Sequence, residues 1–407
     1  MDLLSKYLKH YAESTTGLTD RLNREWQQVI CIPAYDEAEL LPGLLARLAE
    51  ESDLLCILVC NSPDSAADSE AEQRTRQMAS DLRRQFSACL TLDPQSFLLT
   101  MNTQGSHLLL LEHYGLPLKQ GVGLARKLAC DLACQLIANG KVKSQWIHNT
   151  DADVGLPEDY FKIQANAAAA AAIYPFRHIP ESDSNLELGL ALYDYGLHYY
   201  VAGLKWAGSP YAFHTIGSTL LINHRYYAMA RGFPKRSGAE DFYLLNKLAK
   251  MGSIQSLQCS PILLSGRASQ RAPFGTGALV GKFSRSEAGI DNYLFYHPAC
   301  FVALKDFLGR ISELGNSTHW QQLFGDELLC NCLEKLGLDA ALDHARHHSS
   351  SPEVFQRHMH NWFDAFRTLK LIHLLRDKGL PSISHAALQE LKESYGFIKT
   401  AVNQPFH

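Results

Sequence analysis

The feature that most constrains this chain is residues 28–35 (Gln-Val-Ile-Cys-Ile-Pro-Ala-Tyr), followed at once by Asp36-Glu37. The run is apolar almost throughout, too short for a buried helix, and marked near its end by Pro33. It reads as a strand covered on both faces, the kind that lies in the parallel part of an α/β sheet. The same design recurs. Residues 54–60 form an apolar run that stops at Asn61-Ser62-Pro63-Asp64, residues 108–111 form another, and 146–150 end in Asp151-Ala152-Asp153.

Helical spacing fills the gaps: 38–50, the second half of 65–84, and a long stretch from Gly121 to the stop signal Asn139-Gly140. Strand–helix alternation of this kind predicts a mostly parallel twisted sheet flanked by helices. Further on, the pattern predicts a helix from Pro157 through the alanine run, then strands at 173–176, 216–223 and 253–264. An amphipathic helix is expected over 238–251, opening with Glu240-Asp241. Residues 186–213 carry Tyr193, Tyr195, Tyr199, Tyr200, Trp206 and Tyr211, most of whose rings should pack in a core. From Ser286 the alternation gives way to helical patterns at 304–314, 320–336, 355–375 and 386–395. The expected organisation is a helical lead-in over 1–26, an α/β domain over 27–285 and an all-α region over 286–407.

A net charge of −4 over 407 residues gives no electrostatic case for nucleic-acid binding. No apolar stretch approaches the ~18 residues that a bilayer span requires, and residues 1–20 lack the basic-then-apolar pattern of a signal peptide. A cytoplasmic protein is expected. The ten cysteines include no C-x-x-C pair. Cys56/Cys60 and Cys130/Cys134 lack a complementary Cys/His knuckle, so structural zinc is not expected. Cys31, Cys56, Cys60, Cys89 and Cys130 read as small hydrophobes.

The polar residues that could carry chemistry fall at strand ends, where open α/β sheets bind ligands. Asp151 and Asp153, at positions i and i+2 beyond a strand, suit a divalent cation, Mn²⁺ or Mg²⁺, that keeps positions open for phosphate oxygens. The same spacing also suits a solvated turn capping the next helix. Glu240 and Asp241 open a helix, whose dipole favours the ionised form that a general base must have; acidic residues also sit there merely to complement that dipole. Arg267 and Arg271 could clamp a diphosphate or be plain surface arginines. His344, His347 and His348 read as a solvated surface rather than a metal cluster, and His214 is a candidate additional ligand.

Taken in order, Ile32-Pro-Ala-Tyr-Asp-Glu37, Asn61-Ser62, Gly121-x-Gly-x-Ala-Arg-Lys127, Asp151-Ala-Asp153 and Gly238-Ala-Glu-Asp241 resemble the family 2 glycosyltransferases and their GT-A-fold relatives. The resemblance spans roughly residues 27–277. It implies a GT-A-type sheet, a nucleotide-diphospho-sugar donor, a hydroxyl acceptor and transfer with inversion. Pro33 and Tyr35 would line the nucleotide pocket, with Glu37 accepting hydrogen bonds from base or ribose. Arg126 would reach the nucleotide side. Asp151 and Asp153 would hold the metal, and Asp241, with Glu240, would act as base. Asn61 stands where the family usually has an aspartate, which leaves the base open because an amide both donates and accepts. Gln270-Arg271 lacks the spacing and tryptophan of the processive members.

Three alternatives remain at this point. One is a retaining GT-A enzyme acting on a small acceptor such as glycerate or phosphoglycerate. A sugar-nucleotide-forming nucleotidyltransferase is disfavoured, because 33–37 is acidic and glycine-free. The third is a catalytically silent GT-A domain used for binding, with the helical region as its partner or homo-oligomer surface.

Overall fold

The computed structural model describes residues 2–180, 184–267, 277 and 293–402. The chain forms two compact units, one of Met1–Glu181 with Thr215–Ala278 and one of Ser182–His214 with Leu279–His407. The lead-in therefore belongs with the sheet, and the aromatic-rich segment belongs with the C-terminal helices. Neither follows the expected division at 26/27 and 285/286.

The first unit is built on a nine-stranded sheet. Its strands are β1 (Gln28–Ala34), β2 (Leu54–Pro63), β3 (Ser87–Asp93), β4 (Ser96–Thr100), β5 (His107–Leu116), β6 (Trp146–Asn149), β8 (Ala171–Ile173), β10 (Leu220–Asn223) and β11 (Ile254–Ser256), in the order β11-β8-β10-β6-β1-β2-β5-β4-β3. The centre β6-β1-β2-β5 is parallel. β10 runs antiparallel to both β6 and β8, and β4 antiparallel to β5. A second sheet joins β7 (Val154–Gly155), β9 (Phe176–Ile179) and β12 (Ile262–Ser265) in the order β7-β12-β9. The central strands are buried along their length, as their unbroken apolar runs demand.

The expected helices over 38–50, 65–84, 121–139 and 238–251 are α2 (Leu41–Leu48), α3 (Glu70–Gln85), α4 (Gly121–Ala138) and α7 (Glu240–Leu248), with the short α6 (His224–Met229) before the last. The lead-in forms α1 (Leu3–His10) and a 3-10 turn, Ser14–Arg21. A buried network fastens it to α4. Lys127 Nζ and Tyr227 Oη donate to Asp131 at 2.9 and 2.7 Å, Tyr7 Oη donates to the same carboxylate, and Glu13 N adds a bond of 2.8 Å.

The expected helix through the alanine run does not form. Residues 157–170 are turns, and the last alanines become β8, between β10 and β11. Asn166 sets the turn by accepting from Ala168 N at 3.0 Å, and Ala170 N then donates to Ser253 O at 2.9 Å. Alanine's helix propensity is a fraction of a kcal/mol per residue, and pairing on both sides of a buried strand outweighs it. The hairpin β3–β4 has little period-2 patterning and was not expected. Cys89 is exposed on β3, contrary to its apolar reading, while Cys31, Cys56, Cys60 and Cys130 are buried.

In the second unit, α5 (Ser184–Trp206) supplies Tyr195, Tyr199 and Leu204 to a core with Phe301, Phe307, Met359, Phe363, Leu371 and Phe397. The helices Ala299–Gly309, Ile311–Leu314, Glu327–Lys335, Leu338–His348, Pro352–Trp362, Ala365–Lys378, His385–Glu390 and Phe397–Val402 bear out the all-α reading of this region. Among the described residues, no helix is long and apolar enough to cross a membrane.

Candidate active site

β1 has β2 on one side and β6 on the other, and the chain leaves it in one direction before returning on the other. That reversal falls at the C-terminal ends of β1 and β6, where doubly wound sheets bind ligands. Cys31 pairs in register with Asn149, so Thr150-Asp151 leaves the sheet level with Ile32-Pro33, while β1 runs on to Ala34 before Tyr35-Asp36-Glu37. The end of β6 is anchored by Asn149 Nδ2, donating to Gly217 O at 2.7 Å, and Thr150 Oγ1, donating to Ser218 O at 2.8 Å.

Two arginines organise the carboxylates here. Arg126, from the first turns of α4, donates through Nε to Glu240 Oε1 at 3.0 Å and through a terminal nitrogen to Asp151 Oδ1 at 2.5 Å. Its side chain is 4% exposed and that of Glu240 is 6% exposed. Burial opposes the guanidinium's charge, but Asp151, Glu240 and Asp241 outweigh it and hold the group charged. Gly217 makes the space, since a Cβ there would come within 2.5 Å of the guanidinium. Arg126 is expected on the nucleotide side, and in the structure its guanidinium bonds Asp151 and Glu240. Arg267, just beyond β12, donates to both oxygens of Glu37 and lies 3.1 Å from Asp153 Oδ2. Its predicted companion Arg271 lies outside the described residues.

The glycines of Gly121-x-Gly123 do allow close backbone approach, but the approaching backbone is the chain's own. Gly123 N donates to Arg236 O at 2.9 Å, and a Cβ on Gly123 would lie 2.4 Å from Pro234 O. A Cβ on Gly121 would lie 2.8 Å from Ser237 Cα. The start of α4 thereby fixes the loop that delivers Glu240 and Asp241. Just before them, Ala239 takes a left-handed conformation, φ 57°, a strained choice for a residue with a side chain.

Asp241 is partly buried and accepts from Phe242 N at 2.7 Å. Burial, then the charges of Glu240 and Asp151, push its carboxyl up to about 7 against the pull of Phe242 N and Arg126. Asn61 donates through Nδ2 to Ala34 O at 3.2 Å and Val59 O at 3.1 Å, tying the ends of β1 and β2 together. A carboxylate could not donate either bond, which is a physical reason for the amide at this position. Pro33 is buried in β1 and Tyr35 half-buried just beyond it.

Arg74, which carries no signal in the sequence, grips Asp36 with two bonds of 2.7 and 2.9 Å. Asp36 is itself left-handed, φ 58°. Nothing in the polar start of α3 distinguishes this arginine from its neighbours.

The oxygen-only donors Asp151, Asp153 and Glu37 have the chemistry a hard divalent cation prefers. Among the described residues, however, no group of three or more His, Cys, Asp and Glu side chains is arranged as a metal site. Arg126 and Arg267 stand between the carboxylates instead. His344, His347 and His348 are exposed at the end of Leu338–His348, as expected. His214 belongs to the second unit, its ring 4.8 Å from that of His198; burial pushes its imidazole down to about 3.

A comparison with models of known protein families finds no match, and a comparison with curated proteins finds none either.

Proposed function

We propose that this protein is a glycosyltransferase of GT-A type that moves a sugar from a nucleotide-diphosphate donor to an acceptor hydroxyl with inversion. The observation that carries the reading is convergence. Glu37, Asp151, Asp153, Glu240 and Asp241 come from three separated parts of the sequence to strand ends and a helix start, and two arginines join them there. A surplus of carboxylates over guanidinium groups is a fitting place for a divalent cation and an electrophilic phosphate-bearing ligand.

Asp151 and Asp153 would hold the cation, which when bound neutralises charge on the diphosphate. The acceptor oxygen attacks the anomeric carbon as the bond from that carbon to the phosphate oxygen breaks. The electron pair leaves with the diphosphate, and the acceptor's proton passes to Asp241. A carboxylate raised to about 7 is a stronger base than an ordinary aspartate while still ionising near neutral pH. That favours inversion over the retaining alternative. Since a base must be ionised, turnover should rise as pH passes upward through about 7.

The test is a thermal-shift screen of UDP-, GDP-, ADP- and dTDP-sugars with Mn²⁺, Mg²⁺ or EDTA. A donor at a hundred times its dissociation constant should stabilise the fold by about 2.7 kcal/mol. The shift should vanish in Asp153→Ala and persist in Asp241→Asn, whose transfer rate should fall about 10²–10⁴-fold. No shift with any donor overturns the reading.

One observation favours the binding-only alternative: Asp151 and Asp153 already have arginine partners. That reading expects Mn²⁺-dependent nucleotide affinity, lost in Asp151→Ala, without hydrolysis or transfer of any donor.

A further inference from the structure

We propose that the helices α1 and α6 together form a basic, apolar-tipped surface that docks on an anionic lipid bilayer. The proposal is independent of the glycosyltransferase reading. The two helices lie side by side and run parallel. The rings of Tyr7 and Tyr227 meet edge to face at 5.9 Å in the middle, and the Arg231 guanidinium lies 4.5 Å over the Tyr11 ring at the C-terminal end. At the N-terminal end Asp2 stands near Arg225. Bonds from Ser5 first, with the Arg225 charge among the lesser contributions, hold the Asp2 carboxyl below its usual range. The buried carboxylate of Asp131, which accepts from both Tyr7 and Tyr227, holds the pair in this arrangement.

Leu3, Tyr7 and Tyr11 recur at i, i+4 and i+8, so they form one stripe of α1, the stripe that meets α6. Tyr7 is buried, whereas Leu3 at 63% and Tyr11 at 40% stay exposed at its two ends. On α6 the same spacing puts Arg225 and Met229 on one face, and Met229 is 42% exposed. Basic side chains surround these three. Lys6 and His10 are exposed beside the α1 stripe, and Arg225, Arg231 and Lys247 are exposed on the α6 side. Lys247 Nζ lies 3.4 Å from Ala230 O, and burial, then the charge of Arg231, push its ammonium below the usual lysine range. The nearby carboxylates are already engaged: Asp2 caps α1 by accepting from Ser5 N at 2.7 Å, and Glu13 pairs with Lys235 at 3.0 Å. Among the described residues, Lys6, Arg225 and Arg231 make no ion pair.

Charge and shape name the occupant. Cations without acidic partners call for an anionic surface, and Leu3, Met229 and Tyr11 add apolar tips between them. A peptide partner would need a groove or an open strand edge. Here the backbone groups are spent inside helices, and Tyr7 and Tyr227 fill the seam. An anionic bilayer needs neither. Its headgroups meet Lys and Arg at the ends of flexible stems, and its acyl boundary takes projecting apolar side chains. Each Lys or Arg near such a surface is worth about fivefold in affinity, so the set supports reversible attachment rather than insertion.

The experiment is sedimentation of the whole chain with vesicles of phosphatidylcholine alone or in equal mixture with phosphatidylserine. The wild type should bind the anionic vesicles, ignore the neutral ones and be released by salt. Arg225→Gln combined with Arg231→Gln should cut binding about 30-fold, and Leu3→Ser about tenfold. Lys335→Gln combined with Lys378→Gln, which removes two exposed cations of the second unit, should leave binding unchanged. If the double arginine variant does not fold, Lys6→Gln should still cut binding about fivefold. A wild type that ignores anionic vesicles overturns the proposal. So does an equal loss in the double lysine variant, which would mark a response to net charge alone. Unchanged binding in Leu3→Ser, with full release by soluble heparin, would assign the patch to dissolved polyanions and overturn it as well.

Discussion

Arg126 Nε donates to Glu240 Oε1 at 3.0 Å, joining the start of α4 to the first residue of α7 across 114 positions of sequence. Both side chains are almost fully buried, and the same guanidinium holds Asp151. The bond is the hinge pin of the site, because it fixes the end of β6 relative to the acidic start of α7.

Removing that pin leaves a buried carboxylate without its counter-charge. Arg126→Met should therefore destabilise the protein by about 3–5 kcal/mol, the usual cost of breaking one side of a buried ion pair. Equilibrium urea unfolding reads this directly. A loss below about 1 kcal/mol, the range of exposed pairs, would show that Glu240 finds water or another partner.

Two glycines should respond to alanine in opposite directions. At Gly123 the new methyl would meet three backbone atoms of Pro234 and Arg236 within 2.7 Å, none able to move without shifting the loop before Glu240. Gly123→Ala should cost about 1–3 kcal/mol, as overpacking does. Gly43, exposed inside α2, has nothing within 4 Å of a Cβ. Gly43→Ala should gain about 0.5–1 kcal/mol from helix propensity. Thermal denaturation of the two variants side by side checks the contrast, and a stabilised Gly123→Ala would contradict the packing described.

Asn61→Asp sets a carboxylate against the Ala34 and Val59 carbonyls, to which Asn61 now donates. Two bonds are lost and acceptors face acceptors, so a loss of about 1–3 kcal/mol is expected near neutral pH. Because a protonated carboxyl can again donate one bond, the deficit should shrink as pH falls. Unfolding of wild type and variant at pH 7 and pH 4.5 makes the comparison. A deficit independent of pH would place its cause elsewhere.

His148, in β6, gives stability a pH dependence with a definite sign. Burial among Tyr160, Phe161 and Tyr174 pushes its imidazole down to about 3. Below its ordinary value near 6.5 the unfolded chain takes up a proton that the folded chain refuses. Its stabilising contribution is therefore complete above about 6.5 and is lost as pH falls toward 3. The slope from this one group approaches 1.4 kcal/mol per pH unit. His148→Gln should unfold with a shallower dependence between pH 6 and pH 4. Equal slopes in the two proteins would mean that the ring is protonated in the fold.

Much of this architecture is written locally. The runs at 28–35, 54–60 and 146–150 announce buried parallel strands because strands covered on both faces read as near-continuous apolar runs. Gly121, Asn139-Gly140 and Glu240-Asp241 mark helix ends through backbone chemistry that acts within a few residues. The convergence of Asp151 and Asp241 at strand and helix ends was legible for the same reason, since an α/β sheet puts its crevice there whatever the sequence between.

What tertiary structure alone decided lies in pairings whose partners are far apart. The alanines at 171–172 are helix formers by propensity, and only the strands on either side of them make them β8. The aromatic segment around Tyr199 looks like core in any setting, but only its contacts with Phe301 and Phe397 place it with the C-terminal helices. An arginine in a sequence carries no sign of which carboxylate it will meet: Arg126 turned inward to Glu240, Arg267 to Glu37 and Asp153, and Arg74 to Asp36. Local sequence sets conformations through sterics and periodicity. Partner choice is set by which charges the completed fold removes from water together, and that is known only once the sheet has formed.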